Sequence, residues 1–313
     1  MAYRKRQGSG VSPAMRITQE IIVRLEAGTK PWIKPWRGVP VSRPLRACGI
    51  PYRGMNVFWL WMVADMCGYA SPFWMTYNQA KSLGAQVRKG EKSTIAIFYK
   101  SYTKEVEAPV TGEKTDEARR VLKAYPVFNA EQVEGLPERF HPATTLELVE
   151  PEGREAELDA FFAAIPVNLR HQGCEAYYEP TADRVTMPPT SLFSGFDHYY
   201  ATLAHELSHW TGHASRLGRD LKNRFGTAAY AAEELVAELS SAMLGAELGL
   251  PVTHHDSHAS YIEHWLKLLK DDDRAILTAA AKAEESASLL VRLGGRVTPE
   301  QFDDASDDAA LAA

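Results

Sequence analysis

The sequence is poor in cysteine and has no long apolar segment. Cys48, Cys67 and Cys174 are its three cysteines, and their odd number and wide spacing argue against a disulfide framework. Residues 55–64 are apolar but number ten, too few to span a bilayer, so they predict a buried helix. No apolar signal region follows the polar and basic first ten residues. These features predict a cytoplasmic protein that does not contact a membrane.

The sequence also lacks internal repeats and the motifs with which proteins read duplex DNA. It contains no C-x-x-C finger and no basic zipper. With 45% hydrophobic and 24% charged residues, the composition is that of a globular protein, and 313 residues suffice for two domains. If the chain binds nucleic acid, the absence of these motifs favours single strands over the duplex major groove.

The net charge of −5 conceals an uneven distribution. Residues 1–104 contain 17 Lys and Arg but 4 Asp and Glu, a net charge of +13. Residues 105–313 carry 18 basic and 36 acidic residues, a net charge of −18. Such asymmetry is typical of proteins that bind nucleic acid through the basic half. The acidic half is expected to repel DNA.

His205, Glu206 and His209 form an H-E-x-x-H motif. Residues 199–204 before it continue a helical pattern without glycine or proline, and Gly212 follows as a helix stop. Histidines four apart share one helix face and can bind one ion, and neutral imidazole is a good zinc ligand. The glutamate after the first histidine is the general base in zinc hydrolases. Because so short a motif also occurs by chance, a third ligand is needed to support it.

A third ligand is expected on the helix predicted for residues 228–248. Glu234 and Glu238 lie four apart on one face of this helix. We predict Glu234 as the metal ligand and Glu238 as the residue that holds a ligand histidine through its second ring nitrogen. Glu233 is the competing ligand. His213 follows the motif too closely to complete a three-histidine site, so it is expected beside the ligands or as a polar surface group rather than on the ion.

An aromatic and basic segment lies within the basic half. Residues 28–37 alternate two tryptophans with three cations on a chain stiffened by two prolines. Bases of single-stranded nucleic acid stack on exposed aromatic rings while cations contact the phosphates. The predicted DNA-binding residues are Lys30, Trp32, Lys34, Trp36, Arg37, Arg53, Trp74, Arg88, Lys89 and Lys92. The alternative is that the tryptophans are buried in their own domain, as most tryptophans are.

The order of predicted helices, strands and loops indicates an α+β protein with two domains. The expected division is a flexible basic arm over residues 1–13, a DNA-binding domain over 14–135, a linker over 136–153, a second domain over 154–295 and an acidic disordered tail over 296–313. In the first domain, strands are expected at 93–99 and 121–129, joined by a hairpin or loop at 101–118. In the second, 167–178 and 184–187 are expected to form a hairpin whose edge could align an extended substrate.

The chain resembles the ArdC-type antirestriction proteins of conjugative plasmids and related mobile elements. The segments that carry the resemblance are residues 28–37, 51–56, 73–80, 90–92, 205–213 and 233–238. Together they span most of the chain. The resemblance implies an N-terminal α+β domain that binds single-stranded DNA, followed by a C-terminal zincin-like metallopeptidase domain of the gluzincin type. It also implies that the protein protects incoming DNA from host restriction.

The same resemblance implies roles for individual residues. His205, His209 and Glu234 would hold the metal, and Glu206 would be the catalytic acid and base. The expected cofactor is one zinc ion per chain, with Mn²⁺ or another divalent ion as the alternative. Single-stranded DNA is the expected partner, and a component of the host restriction system is a candidate protein substrate.

Two questions stay open at the level of sequence. The first is which group stabilises the oxyanion in peptide hydrolysis. Its candidates are Tyr199, Tyr200, His213 and Arg216. The second is whether the site is catalytic, because a single-strand DNA-binding protein with a structural or vestigial metal site could also protect DNA by shielding it.

Overall fold

The computed structural model describes residues 11–32, 42–107, 114–141, 153–221, 227–250 and 259–296. Its helices are α1 (Pro13–Glu26), α2 (Met55–Cys67), α3 (Tyr77–Ser82), α4 (Arg154–Ala163), α5 (Phe196–Thr211), α6 (Ala228–Leu248), α7 (Ala259–Asp271) and α8 (Ala275–Leu293). Its strands are β1 (Leu45–Arg46), β2 (Phe73–Met75), β3 (Gln86–Val87), β4 (Thr94–Glu107), β5 (Lys114–Asn129), β6 (Val133–Glu134), β7 (Asn168–His171), β8 (Tyr177–Glu179) and β9 (Arg184–Met187). Helices and strands are thus mixed in both halves, as the α+β prediction requires.

Helices α1 and α6 begin where a side chain satisfies a free backbone amide. At the start of α1 the Ser12 hydroxyl accepts the Met15 amide proton at 3.1 Å. At the start of α6 the Thr227 hydroxyl accepts the Tyr230 amide proton, also at 3.1 Å. Helix α6 ends at Gly249, whose φ of 67° is left-handed and therefore favours glycine. Both ends of the helix that carries the predicted third ligand are therefore fixed locally.

Helix α2 is the apolar segment that the sequence predicts to be buried. Nine of its thirteen residues are buried, including Trp59 and Trp61. Both indole nitrogens donate hydrogen bonds, Trp59 to the Thr94 hydroxyl at 3.1 Å and Trp61 to the Ser42 carbonyl at 3.0 Å. None of the helices within the described residues has the length and apolar surface that crossing a bilayer requires.

The strands form three small sheets. The first has the order β1-β2-β5-β4, the second pairs β3 with β6, and the third has the order β7-β9-β8. The predicted strand at 167–178 is divided in two, because Gly173 turns the chain with a φ of 72°. Its first part, β7, pairs in parallel with β9, and its second part, β8, pairs antiparallel with β9. Strand β8 therefore lies at the edge of its sheet.

The hairpin of β4 and β5 is longer than the sequence suggests. Pairing starts at Thr94 with Val127 and continues without a break to Glu107 with Lys114. The predicted strands cover the first part of this ladder, whereas most of the segment at 101–118 belongs to the strands. Antiparallel pairing uses backbone groups, so the charged residues in this segment do not end the ladder.

A small hydrophobic cluster extends the N-terminal half beyond its predicted boundary. It combines residues of β2, α3, β3 and β6 with Leu136 and Phe140. Phe140 is fully buried, and its ring lies 5.0 Å from that of Phe73. The sequence places Leu136 and Phe140 in the linker, but the structure packs both. Residues 142–152, the rest of that linker, lie outside the described residues.

A shared hydrophobic cluster joins the two halves of the chain. The largest cluster contains Ile17 and Leu25 of α1 and most of α2, together with Leu235, Trp265 and Ala283 of the later helices. A second cluster joins α4, β9 and α5 to the carboxyl-terminal parts of α6 and α8. Helices α6 and α8 belong to both clusters, so they connect the basic half to the helix with the metal-binding motif.

Ion pairs reinforce the contact between the halves. The Arg43 guanidinium is 7% exposed and binds Glu284 on α8 at 2.7 and 2.9 Å and Glu247 on α6 at 2.6 Å. Glu284 also accepts the backbone amide proton of Gly54 at 3.0 Å. A buried guanidinium is tolerated only when carboxylates compensate it, so this cluster depends on both halves of the chain.

Candidate metal centre

Two adjacent helices bring the predicted metal-binding side chains together. Helix α5 carries His205, Glu206 and His209, and α6 carries Glu233 and Glu234. The apolar residues of both helices are buried, which fixes the helices side by side. His205, Glu206 and Glu234 are only 7–8% exposed. Ionisable side chains stay buried only where other charges or hydrogen bonds compensate them, so this group marks a functional site.

The geometry of three of these residues fits a divalent ion. Ligand atoms of His205, His209 and Glu234 all lie within 4.8 Å of one another. His205 Nε2 lies 3.7 Å from Glu234 Oε2, and His209 Nε2 lies 3.6 Å from Glu234 Oε1. Two ligand atoms about 2.1 Å from one tetrahedral ion are roughly 3.4 Å apart, close to both separations. Two histidines and one glutamate are also a known donor set of catalytic zinc sites.

A carboxylate behind His209 fixes the orientation of its ring. His209 Nδ1 lies 3.3 Å from Glu233 Oε1, which leaves Nε2 facing Glu234. The Arg219 guanidinium binds the same carboxylate through Nε at 3.0 Å to Oε2 and through Nη2 at 2.9 Å to Oε1. Glu233 therefore accepts a ring proton of His209 while Arg219 neutralises its charge. Arg219 was not predicted, because nothing in its spacing from the motif indicates the contact.

Gly212 is needed for this approach of Arg219. A Cβ atom at position 212 would lie 2.9 Å from Arg219 Nη2 and 2.9 Å from Leu221 Cδ2. Arg219 Nη2 also donates to the Ser208 carbonyl at 2.5 Å, which draws the guanidinium over the end of α5. Gly212 is the C-cap of α5, as predicted, but its φ of −74° needs no glycine. The close contact, rather than the backbone conformation, requires the missing side chain.

The electrostatics of the site favour positive charge between the ligands. Burial alone would raise the pKa of Glu234, but hydrogen bonding to His205 and the charge of His209 lower that pKa to about 2. Burial alone would lower the pKa of His209, but Glu233 and Glu234 raise it to about 9. Burial is the largest single influence on the pKa of His205 and would lower it, but Glu234 and Glu206 together raise that pKa. A divalent ion would displace the protons bound by the two histidines, and the same carboxylates would attract it.

The metal-binding group lies in an open cleft of about 640 Å³. Glu206 lines this cleft beside His205 and His209. Glu206 therefore borders the same open space as the candidate ligands. The cleft is also lined by Glu175, Ala176, Tyr177, Tyr178, Pro180, Thr202, Asp220, Leu221, Tyr230, Glu233, Glu234 and Tyr261. No lysine or arginine is among these described lining residues.

Strand β8 forms one wall of the cleft. Tyr177 and Tyr178 belong to β8 and line the cleft, and β8 pairs with β9 on one side only. An edge strand offers free backbone groups that can pair with an extended peptide. The edge strand that the sequence predicts before the metal-binding helix is therefore present, and it consists of β8.

Two further tyrosines line the cleft, and neither was predicted as a site residue. Tyr230 on α6 and Tyr261 on α7 both line the cleft, and their hydroxyl oxygens are 3.1 Å apart. Tyr230 also hydrogen-bonds to Glu234. Burial is the main cause of the raised pKa of both phenols, so both keep their protons. Spacing could have indicated Tyr230, which lies four residues before Glu234 on the same helix.

The structure contradicts the predicted role of Glu238 and the position of His213 beside the ligands, and it agrees with the alternative that His213 is a polar group away from them. Glu238 Oε1 lies 3.3 Å from Lys30 Nζ, and it is Glu233 that contacts the ring of His209. Helical residues five apart point in directions roughly 140° apart, so the exchange of Glu238 for Glu233 changes the face of α6 that supports the histidine. The His213 ring accepts the Ser215 amide proton at 3.2 Å and does not line the cleft.

The oxyanion candidates named from the sequence are all engaged elsewhere. The Tyr199 hydroxyl lies 2.8 Å from His171 Nε2, and the Tyr200 hydroxyl donates to Asp159. Arg216 binds both carboxylate oxygens of Asp183 and lies against the Trp210 ring. None of the four candidates is among the described residues that line the cleft. Position near the motif in sequence does not bring these side chains to the site: Tyr199 and Tyr200 contact other partners from α5, and His213 and Arg216 lie beyond the end of that helix.

The predicted DNA-binding residues have three different outcomes. Lys30, Trp32 and Trp74 are buried, with exposed fractions of 7%, 1% and 1%. The structure therefore contradicts their prediction as DNA contacts, because apolar packing holds both rings and Glu238 compensates the Lys30 charge. Arg53 is partly exposed, and Arg88, Lys89 and Lys92 are exposed around the turn after β3. The remaining three, Lys34, Trp36 and Arg37, lie outside the described residues.

Family models match both halves of the chain. Residues 13–128 match the N-terminal domain of anti-restriction factor ArdC. Residues 156–282 match a zincin-like metallopeptidase, a segment that contains His205, His209 and Glu234. The combination of an ArdC-type domain with a zincin-like domain that the sequence predicts is confirmed.

Relatives with known sequences cover nearly the whole chain. An uncharacterized protein, y4eC of Sinorhizobium fredii (strain NBRC 101917 / NGR234), is 41% identical over 281 residues, which are 88% of this chain and 90% of that protein. DNA primase TraC of Escherichia coli is 39% identical over 306 residues, which are 91% of this chain but 28% of the primase. The chain thus corresponds to one part of that much longer protein.

Solved structures agree with the sequence relatives. The metal-free crystal structure of antirestriction ArdC protein from R388 plasmid has a TM-score of 0.78 and 44% identity, covering 92% of this chain and 100% of that one. The Mn(II)-bound structure has a TM-score of 0.75 and 43% identity, covering 93% and 100%. With both halves matched and relatives above 40% identity covered almost end to end, this chain belongs to the ArdC family of antirestriction proteins, which join an ArdC-type N-terminal domain to a zincin-like metallopeptidase domain.

Proposed function

We propose that this protein is a metal-dependent peptidase that also binds single-stranded DNA and protects DNA entering on a plasmid or mobile element from host restriction. The observation that carries the peptidase activity is the convergence of His205, His209 and Glu234 beside Glu206 in an open cleft. We propose one zinc ion per chain, because two imidazoles and a carboxylate suit zinc. The Mn(II)-bound state of the R388 ArdC protein supports manganese as the alternative.

Different side chains have different roles in the proposed hydrolysis. When bound, the ion supplies Lewis-acid chemistry, lowering the pKa of a water molecule and polarising a peptide carbonyl. Glu206 accepts a proton from the attacking water on a carboxylate oxygen and donates it to the amine nitrogen as the peptide C–N bond breaks. Glu233 and Arg219 keep the His209 ring in the orientation that binding needs.

The cleft suits an extended peptide better than a nucleic acid. The free edge of β8 can pair with a peptide backbone, whereas the carboxylates of Glu175 and Asp220 on the cleft wall repel phosphates. A nuclease with a metal site would instead use clustered aspartates and Mg²⁺. We therefore propose a protein substrate, with a component of the host restriction system as the candidate.

We assign DNA binding to the basic N-terminal half. Residues 1–104 have a net charge of +13, and residues 13–128 match the ArdC N-terminal domain. Among the described residues, Arg88, Lys89 and Lys92 present exposed cations around one turn. Arg88 contacts Glu91 at 2.8 Å, so Lys89 and Lys92 are the better phosphate contacts. Single strands are preferred in this proposal because no duplex-reading motif is present in the sequence.

The decisive test is the Glu206→Gln variant, which keeps the shape of the side chain but removes its basicity. Purified protein loaded with zinc or manganese is incubated with an unfolded protein and with an extract of a restricting host, and cleavage is followed by mass spectrometry. Wild-type protein is expected to cleave, and Glu206→Gln is expected to be about 10²- to 10⁴-fold slower. Glu285→Gln, an exposed change on α8, serves as the matched control and is expected to cleave normally.

The same variants are then compared in plasmid transfer into a restricting host. Loss of protection in Glu206→Gln, with DNA affinity unchanged, supports a peptidase that acts in antirestriction. Full protection by Glu206→Gln would instead support the competing function, a protein that shields DNA without catalysis. Failure of the metal-loaded wild-type protein to cleave anything in the extract would contradict the peptidase proposal directly.

A further inference from the structure

Tyr230 lies one helical turn before the metal ligand Glu234. Residues four apart share a helix face, so both side chains project from α6 into the same cleft. The Tyr230 hydroxyl hydrogen-bonds to the Glu234 carboxylate. Its oxygen also lies 3.1 Å from the Tyr261 hydroxyl oxygen. Tyr230 therefore contacts the third ligand from the same helix, α6.

The directions of these two hydrogen bonds follow from counting protons. A hydroxyl has one proton to donate and two lone pairs that accept. A bond to a carboxylate is charge-assisted and stronger than a bond between two neutral hydroxyls. Tyr230 therefore donates to Glu234, and Tyr261 donates to the Tyr230 oxygen. This relay, Tyr261 to Tyr230 to Glu234, leaves the carboxylate with a fixed donor even before an ion binds.

The relay is held by a column of aromatic rings. The Tyr230 and Tyr261 rings are 6.0 Å apart at 29°, and the Tyr261 and Trp265 rings are 6.0 Å apart at 22°. Trp265 is fully buried, and its indole nitrogen donates to the Ala231 carbonyl at 3.0 Å. Trp32 from the basic half packs edge-on against Trp265 at 5.4 Å. The two tyrosine hydroxyls thus sit at the end of a packed column with little freedom to move.

We infer that Tyr230 is a positioning residue for Glu234, and that the column from Trp32 through Trp265 and Tyr261 fixes Tyr230 in turn. The inference rests on the proposed metal site. A glutamate side chain has several rotamers, and an ion binds more tightly when its ligand is already held in the binding rotamer. His205 and His209 face the two oxygens of Glu234 from α5, and Tyr230 restrains the carboxylate from α6.

The test is the Tyr230→Phe variant, which removes the hydroxyl and keeps the ring in the column. Affinity for Zn²⁺ and Co²⁺ is measured by competition with a chromophoric chelator, and the visible absorption of the Co²⁺-loaded protein reports the geometry of its ligands. We expect affinity about tenfold or more below that of the wild type, the usual cost of removing a partner of a metal ligand. We also expect a shifted Co²⁺ spectrum. Neither readout requires peptidase activity.

Tyr200→Phe is the matched control. It removes a tyrosine hydroxyl from the same half of the protein, one that binds Asp159 and does not line the cleft. Its metal affinity and Co²⁺ spectrum are expected to equal those of the wild type. A purely structural role for Tyr230 would lower the melting temperature of the metal-free protein and leave the Co²⁺ spectrum unchanged.

The outcomes separate this inference from the proposed function. Wild-type affinity and an unchanged Co²⁺ spectrum in folded Tyr230→Phe would overturn the positioning role while leaving the metal site intact. If Tyr230→Phe does not fold, Tyr261→Phe decides, because it removes the donor to Tyr230. A smaller loss of affinity with a shifted spectrum is then expected, and wild-type values would overturn the inference. If wild-type protein binds neither ion, the proposed metal site and this inference fail together.

Discussion

The basic and acidic halves of the protein use their charges differently. In the basic half, part of the positive charge is buried against the other half: Lys30 binds Glu238, and Arg43 binds Glu284. In the acidic half, Glu234 is buried against the two motif histidines. The net charge of +13 therefore overstates what the basic half can offer to DNA, because some of its cations stabilise the fold. Charge counted along a sequence does not distinguish a cation that binds a partner from one that holds two domains together.

The largest expected effect concerns the acidic half and its metal site. His205→Ala and Glu234→Ala should each abolish binding of the single ion, because each removes one of three ligands. Glu233→Ala should retain part of the binding, because Glu233 supports His209 without being one of the three grouped ligands. Elemental analysis of purified protein measures all three.

Glu206→Ala is the matched control and should keep a full equivalent of metal, because Glu206 is not one of the three grouped residues. Full metal in Glu234→Ala together with loss in Glu233→Ala would show that the choice of glutamate is wrong.

The second prediction sharpens the contrast between structural and binding residues of the basic half. Trp32→Ala should lower the free energy of unfolding by about 3–5 kcal/mol, because it leaves a cavity beside Trp265. Folded Trp32→Ala protein should bind single-stranded DNA like the wild type. Chemical denaturation and a DNA titration at fixed salt give the two values.

Trp36, four residues on, lies outside the described residues and keeps its prediction as a stacking residue. Trp36→Ala should weaken single-strand binding by about 1–3 kcal/mol without loss of stability. Identical behaviour of the two variants, in either measurement, would remove the distinction between them.

The third prediction concerns the carboxylate behind His209. Glu233→Gln should weaken metal affinity about 10- to 100-fold, because Arg219 loses its charged partner and the His209 ring keeps only a neutral amide oxygen as its acceptor. Chelator competition measures the change. Glu175→Gln, another cleft residue that is exposed, is expected to bind metal normally. Equal affinities for the two variants would mean that the orientation of His209 does not depend on Glu233.

The smallest effect separates two lysines of the basic half. Lys89 is exposed, so Lys89→Ala should reduce the slope of log affinity against log salt by about 0.7 for single-stranded DNA. Lys30 is buried against Glu238, so Lys30→Met should leave the slope unchanged even where it alters stability. Titrations at several salt concentrations compare them. A change of slope with Lys30→Met and none with Lys89→Ala would reverse the assignment.

Local patterns predicted helix α6 well and the long hairpin poorly. Helix α6 follows the predicted range 228–248, because its capping threonine and terminal glycine are local signals. Strands β4 and β5 run beyond their predicted ends, because a ladder continues as long as its partner strand does. The packing of Leu136 and Phe140 was also missed, because their partners are distant in sequence. The periodicity of apolar residues therefore does not define the ends of helices and strands that depend on contacts distant in sequence.

The sequence by itself was enough to identify the metal-binding motif of two histidines and a glutamate. It also showed the charge asymmetry and the resemblance to the ArdC family. Spacing of four residues on one helix fixes which side chains share a face, whatever the rest of the chain does. The tertiary structure decided which glutamate of α6 faces Nε2 of the histidines and which faces Nδ1. It also decided that Trp32 packs against Trp265. These outcomes depend on how helices from different parts of the chain pack against one another. Neighbouring residues on a helix point in different directions, so a rotation of the helix about its axis changes which side chain reaches the site.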